Sequence, residues 1–256
     1  MRSILAIAQR ELRAYFVSPL AYVVIGFFLA VTGLFFDLFV RSYSQASLQA
    51  GMNPYLAEQL NLHDALIRPL YSNFHVILLF IVPLVSMRLL AEEKKQGTAE
   101  LLLTAPITTS ELVLGKFTGA MGFLTVILLL TIQYPLFLWG AGSAPPLGSF
   151  LSAFAGACLL SGAFLSVGLF MSSLTENQIV AAVTSFVLLL MLWVIGFAGQ
   201  MAGGKLEVFF KAISLTENSE DFSKGVVDTK NVVFFLSFIA LNLFLTQRAV
   251  ESRRWR

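Results

Sequence analysis

The chain has 256 residues, 57% of them hydrophobic and 12% charged, with 24 Phe, one cysteine and a net charge of +2; its mean hydropathy is +0.80. A soluble domain carries about 25% charged residues, so this composition excludes a large soluble domain and points to a chain whose solvent is mostly lipid. The small net charge gives no nucleic-acid surface, and the single Cys158 makes no intrachain disulfide.

The N-terminal stretch "MRSILAIAQRELRAYF" has helical spacing. Ile4, Leu5, Ala8, Leu12, Tyr15 and Phe16 share one face, with Arg10 and Arg13 off it, which predicts a helix over 3–17 lying in the membrane interface. Arg10, Glu11 and Arg13 precede the first long apolar run, a pattern unlike a cleavable signal. Ser18-Pro19 ends this helix, and Pro19 starts the next.

Six apolar runs follow, each long enough for a bilayer core of about 30 Å. They cover 20–40, 71–90, 112–138, 149–172, 179–199 and 231–247. Asn53-Pro54 predicts a short helix between the first two, and Pro83 predicts a kink in the second. Asp37 stands four residues before Arg41, at pairing distance near the outer end of span 1. His75 lies near the outer end of span 2, too far from mid-membrane for a proton relay. His63 and Asp64 read as a helix cap. Gly115, Gly119 and Gly122 in span 3, and Ser149, Ala153, Ala157 and Ser161 in span 4, are small residues at the spacing that lets helices approach closely. An even number of spans puts both chain ends on one side. That side carries 11 of the 17 lysines and arginines, which predicts that it is cytoplasmic.

Between spans 2 and 3 lies "EEKKQGTAELLLTAPITTSELVLGK", residues 92–116. Gly97 breaks the helix of span 2 and Thr98 caps a short helix over 98–104. Leu101, Leu102 and Leu103 give that helix an apolar face, and Pro106 stops it. Thr108 and Glu111 have the capping-box spacing that starts span 3. A helix of about seven residues is not stable alone in water. It packs either on the membrane surface and its own bundle, or in the groove of a cytoplasmic partner.

The residues of this stretch carry a resemblance. Glu92, Glu93, Lys94, Gly97, Thr98, Glu100, Leu101, Leu102, Pro106, Gly115 and Lys116 match the first cytoplasmic loop of ABC-2 type permeases. "AQRELRAYFVSPLAYV" resembles that family's amphipathic connecting helix, with Arg10, Glu11 and Pro19 in place, and "TENQIVAA" (175–182) is similar to its turn between spans 4 and 5. The stretch 213–238 looks like the gliding-motility-associated and copper-enzyme-maturation branches at Phe222, Gly225, Val226 and Asp228; Asn218-Ser219 stands where those branches have a His-Phe-like pair.

The resemblance covers essentially the whole chain and implies an all-α integral membrane fold: six transmembrane helices, an N-terminal interfacial helix and a short coupling helix between spans 2 and 3. It implies two permease copies working with two copies of a separate ATPase in a bacterial inner membrane, with ATP and Mg on the ATPase. In that picture Glu92, Glu93 and Glu100 hold the ATPase, Leu101 and Leu102 are docked anchors, Gly97 and Pro106 set the turns, and Lys94 and Thr98 belong to the same coupling segment. Arg10, Glu11 and Arg13 form a second contact, and spans 2 and 5 face the path, where span 5 offers Thr184, Ser185 and Met191. The chain carries no GxxxxGK[ST] phosphate loop, so its expected role is neither catalytic nor ATP-binding, with no cofactor or metal of its own. One alternative is a non-conducting assembly component that acts on periplasmic partners through 42–70 and 200–230. A secondary transporter or channel wants mid-membrane charges or an internal repeat, and the sequence offers neither.

Overall fold

The computed structural model describes residues 2–51, 61–97, 107–140, 146–201 and 205–254. The short helices expected at 53–60 and 98–104 lie outside the described residues, as do Thr98, Glu100, Leu101, Leu102 and Pro106.

Helix α1 (Arg2–Val17) stops at Ser18, whose backbone is extended, and Pro19 opens α2 (Pro19–Ala50) in its first turn, where a missing N–H is harmless. At 32 residues, α2 is about 48 Å long, well beyond the roughly 30 Å hydrocarbon core. It overruns the predicted bounds because the polar 41–50 stretch stays helical. A π-helical turn (His63–Ile67) leads into α3 (Arg68–Ser86), and α4 (Arg88–Lys95) continues the same span. Pro83 lies inside α3, which continues through it to Ser86, and the helix is interrupted only at Met87.

Gly97, at φ +70°, closes α4 in the left-handed conformation that glycine adopts freely. The predicted capping box opens α5 (Thr109–Leu130): Glu111 N–H donates to Thr108 Oγ1, and Thr108 N–H donates to the Glu111 carboxylate. Helix α6 (Gln133–Gly140) completes that span, followed by α7 (Leu147–Leu174) and α8 (Gln178–Met201). Two short helices, α9 (Lys205–Ile213) and α10 (Leu215–Ser223), precede α11 (Thr229–Arg254).

Six stretches among the described residues are long and apolar enough to cross a membrane: Pro19–Ala50, His63–Lys95, Thr109–Gly140, Leu147–Leu174, Gln178–Gly196 and Thr229–Ser252. The architecture is all-helical, as the sequence predicts. Helix α7 is its axis, packed by α3, α5, α8, α10 and α11. Its small residues make that possible. Ala153, Ala157 and Ser161 are buried; Gly168 receives Ser86, whose Oγ occupies the place a Cβ would need, and Gly156 receives the Phe222 ring. On α2, by contrast, Val23, Phe27 and Leu34 are exposed, a surface suited to acyl chains.

At the face opposite the chain ends, α10 is clamped to span 2. Arg68 pairs with Glu220 at 2.9 Å, His75 Nε2 meets Ser219 Oγ at 2.9 Å, and His63 Nε2 lies 3.1 Å from the Ser223 carbonyl. Burial pushes the Glu220 carboxyl up, but Lys224 and Arg68 outweigh it and hold the group below its ordinary value. The expected Asp37–Arg41 pair is present at 2.8 Å on the exposed side of α2.

Candidate functional site

At the face that carries both chain ends, α1 lies along α5. The glycines of α5 create the seat. A Cβ on Gly115 would stand 2.7 Å from Ile7 Cβ, and one on Gly119 would stand 2.7 Å from Glu11 Cβ and 2.8 Å from the Ala8 carbonyl. These small residues therefore serve close packing as expected, with α1 as their partner. The packed face of α1 keeps the predicted Ile4, Ala8, Leu12, Tyr15 and Phe16 and takes in Ile7 and Glu11 as well, whereas Leu5 is 70% exposed. Tyr15 pins the end of α1. Its hydroxyl donates to the Val85 carbonyl at 2.7 Å, its ring stacks on Phe123 at 4.7 Å, and the Arg88 guanidinium lies 4.2 Å over it. Burial pushes the Tyr15 phenol well above its usual range and outweighs Arg88, so the hydroxyl stays a donor.

This seat brings charges together in a place nearly closed to water. Lys116 of α5 is 2% exposed, and its Nζ lies 2.7 Å from Glu93 Oε1 and 2.8 Å from Glu11 Oε1. Arg10, largely exposed, reaches Glu93 at 3.9 Å. The two cations and two carboxylates balance. Each charge would be costly to bury alone, by several kcal/mol after relaxation. Together they form a junction among α1, the end of span 2 and the start of span 3.

Helix α4 is also tied to the axis. Ser172 Oγ accepts the N–H groups of Leu90 (3.1 Å) and Ala91 (3.0 Å) and donates to the Met87 carbonyl at 3.0 Å. A side chain inserted into the backbone ladder accounts for the interruption at Met87. Lys94 donates to the Ser173 carbonyl.

The sequence-predicted coupling residues thus separate. Glu93 and Glu11 turn inward onto Lys116, and Lys94 turns toward α7. Glu92 is half-exposed, with Gln96 donating to its carboxylate at 3.2 Å, and Lys95, Gln96 and Arg13 are exposed. In the sequence Lys116 is a matched motif position without a role of its own. The signal for one was a lysine within the first turns of an apolar span, where burial demands a carboxylate partner.

The expected path residues also part company. Thr184 and Met191 are exposed, whereas Ser185 is fully buried against α7 and donates to the Ala181 carbonyl at 2.6 Å. Between α3 and α8 runs an apolar cleft of about 280 Å³, lined by Phe80, Pro83, Leu84, Ala182, Val183 and Phe186. The Phe80 and Phe186 rings approach to 5.1 Å within it. Nearer the opposite face, a cavity of about 210 Å³ is bordered by Ser72, His75, Trp193, Thr216, Glu217 and Glu220. Among the described residues no group of three His, Cys, Asp or Glu is placed to hold a metal ion.

A family model described as ABC-2 family transporter protein matches residues 5–249. A comparison with curated proteins gives no match.

Proposed function

The chain belongs to the ABC-2 transporter family, and we propose that it is the membrane-spanning permease subunit of an ATP-driven transporter that exports or extrudes a substrate across a bacterial inner membrane. Family membership over residues 5–249 is the observation that carries this reading. The bundle of six apolar spans, with α1 packed along α5, supports it. The ATPase is a separate polypeptide, present with the permease as two copies of each, and it supplies the ATP and Mg chemistry. This chain contributes no catalytic group.

Both termini and the 92–116 segment lie in the cytoplasm in this reading, on the strength of the basic residues gathered there. ATP binding draws the two ATPases together. Each holds the segment that begins at Glu92 and Gly97 and continues through Thr98, Glu100, Leu101, Leu102 and Pro106. Its displacement moves α4 and α5, to which it is joined on either side. The motion reaches the facing clefts of α3 and α8 in the permease pair, a two-state change biased by ligand contacts elsewhere. The apolar lining at Phe80, Val183 and Phe186 suits a lipidic or amphipathic cargo.

A second reading draws on the opposite face. Helix α2 extends beyond the bilayer thickness, and α10 is held to span 2 by three polar contacts. These provide a surface through which ATPase motion acts on a periplasmic partner without conducting a substrate.

Purification of the complex from native membranes under gentle conditions, with subunits identified and counted, tests the main reading. A separate ATPase is expected at equal copy number, and Glu92→Lys combined with Leu102→Asp is expected to release it without loss of the permease. Absence of any ATPase, or binding indifferent to the two substitutions, overturns the reading.

A further inference from the structure

We propose that the adjacent Glu92 and Glu93 have different tasks, and that Lys116 is the positioning residue between docking and motion: Glu92 faces the ATPase, while Glu93, Lys116 and Glu11 form an internal latch that makes α1, the end of span 2 and the start of span 3 move as one body. This rests on the permease reading above.

The geometry divides the two glutamates. Consecutive residues on a helix point about 100° apart, so one of a Glu-Glu pair faces solvent when the other faces the bundle. Glu92 is the outward one, its carboxylate engaged by Gln96 on its own helix. Glu93 meets a lysine from one helix and an arginine from another. Lys116 collects carboxylates from α1 and α4 within 2.8 Å while itself 2% exposed.

Burial is what makes this a latch. An exposed ion pair exchanges freely with water and transmits little force. A buried one cannot slip without leaving a charge uncompensated in a poorly solvated place. A displacement of the segment between α4 and α5 therefore carries α1 with it. The glycine seat at Gly115 and Gly119 leaves α1 no slack against α5. Ser172 and Lys94 tie α4 to the axis helix, so the same displacement reaches α7.

The test uses the permease–ATPase complex in lipid nanodiscs. Lys116→Met leaves two carboxylates facing each other, so the informative variant is Lys116→Met with Glu11→Gln. It keeps the Arg10–Glu93 pair and balances charge while opening the latch. The readouts are ATPase copies per permease, KM for ATP, and kcat of the complex relative to the ATPase alone. We expect wild-type ATPase content, KM within about twofold and a permease-dependent kcat lowered by roughly tenfold or more, the pattern of an interaction used in turnover rather than in binding. Glu92→Ala is expected to do the reverse, lowering ATPase content. A latch variant with wild-type kcat overturns the proposal, because the junction is then merely structural. So does a latch variant that sheds the ATPase, because the cluster then belongs to the docking surface. A wild-type permease that holds no ATPase refutes the parent reading itself and is recognised without any variant.

Discussion

Gly119→Ala probes the seat of α1 with the smallest perturbation available. The new methyl carbon would stand 2.7 Å from Glu11 Cβ, 2.8 Å from the Ala8 carbonyl oxygen and 3.2 Å from Ala8 Cα. Two of these three are backbone atoms, which no rotamer change can move aside. Helix α1 must therefore retreat by about 0.7 Å to restore ordinary contact, forfeiting roughly a quarter to a half of each dispersion contact along its packed face. Overpacking of this kind costs about 1–3 kcal/mol. The intrinsic preference of helices for alanine over glycine offsets up to about 1 kcal/mol of that. Gly26→Ala is the control, since a Cβ there meets nothing within 4 Å and only the favourable helix term remains. The two variants are thus expected to differ by about 1–3 kcal/mol, several degrees in the thermal midpoint of the purified protein. Backbone hydrogen exchange adds a local readout. In Gly119→Ala the amides of residues 4–16 should exchange faster, because the retreat also lengthens the 2.8 Å Glu11–Lys116 contact. If the two glycine variants melt alike and α1 keeps its protection, the argument that α5 glycines seat this helix is wrong.

Ser172→Ala removes the acceptor of two buried amides, Leu90 and Ala91; at about 1–3 kcal/mol per stranded group, a loss of roughly 2–6 kcal/mol is expected, read as a lower melting temperature and faster exchange in α4. The Arg68–Glu220 clamp should loosen only in acid. The folded Glu220 carboxyl titrates below its usual 4.5, held there by Lys224 and Arg68 against burial, so its stabilisation is present above the unfolded value and lost as pH falls through the lower folded one. The pair is more than a third exposed, so the effect is under about 1 kcal/mol. It should appear as exchange at residues 215–223 that rises below pH 4.5 and is insensitive to pH in Glu220→Gln. Single cysteines placed at Ser47 and at Gln96 should be labelled by impermeant maleimide from opposite sides of the membrane, with Gln96 reached only from the cytoplasm; labelling of both from one side refutes the six-span topology.

The spans themselves were legible because lipid imposes a simple demand. A helix that satisfies its own backbone and shows lipid an apolar surface is visible in one dimension. The capping box at Thr108 and Glu111 and the stop at Gly97 were legible for a related reason, since both are local backbone chemistry. The rotation of each helix about its axis was not. Ile4, Leu5, Ala8 and Leu12 form a consistent apolar stripe, yet α1 is seated by glycines on a helix more than a hundred residues away. The packed face keeps Ile4, Ala8 and Leu12 but is turned to take in Ile7 and Glu11, and Leu5 alone of the stripe is left outside. Ser185 stands with Thr184 and Met191 on span 5 by resemblance alone, and its burial is not legible there: a hydroxyl that donates to the carbonyl four residues back needs no water and can face a packed neighbour.

Glu93 is the clearest instance of what a linear reading misses. Taken with its neighbours, it belongs to a run of four charged residues, and such a run ordinarily marks a solvated face. Its burial makes sense only when Lys116 and Arg10 are brought to it, from segments that the sequence keeps apart. The motif was visible from the start: a Glu-Glu pair, a Gly-Lys at the head of a span and an Arg-Glu in the interfacial helix. Its members matched a family pattern one by one, and nothing in their spacing said that three of them touch. The charge arithmetic carried the missing hint. A lysine entering an apolar span and a glutamate leaving one, on the same side of the membrane, each need an opposite charge, and the least costly partner is the other. The side of the membrane as a constraint narrows the partners of Lys116 to a few acidic residues, Glu11, Glu92, Glu93, Glu100 and Glu111 among them, and the fold selects Glu11 and Glu93.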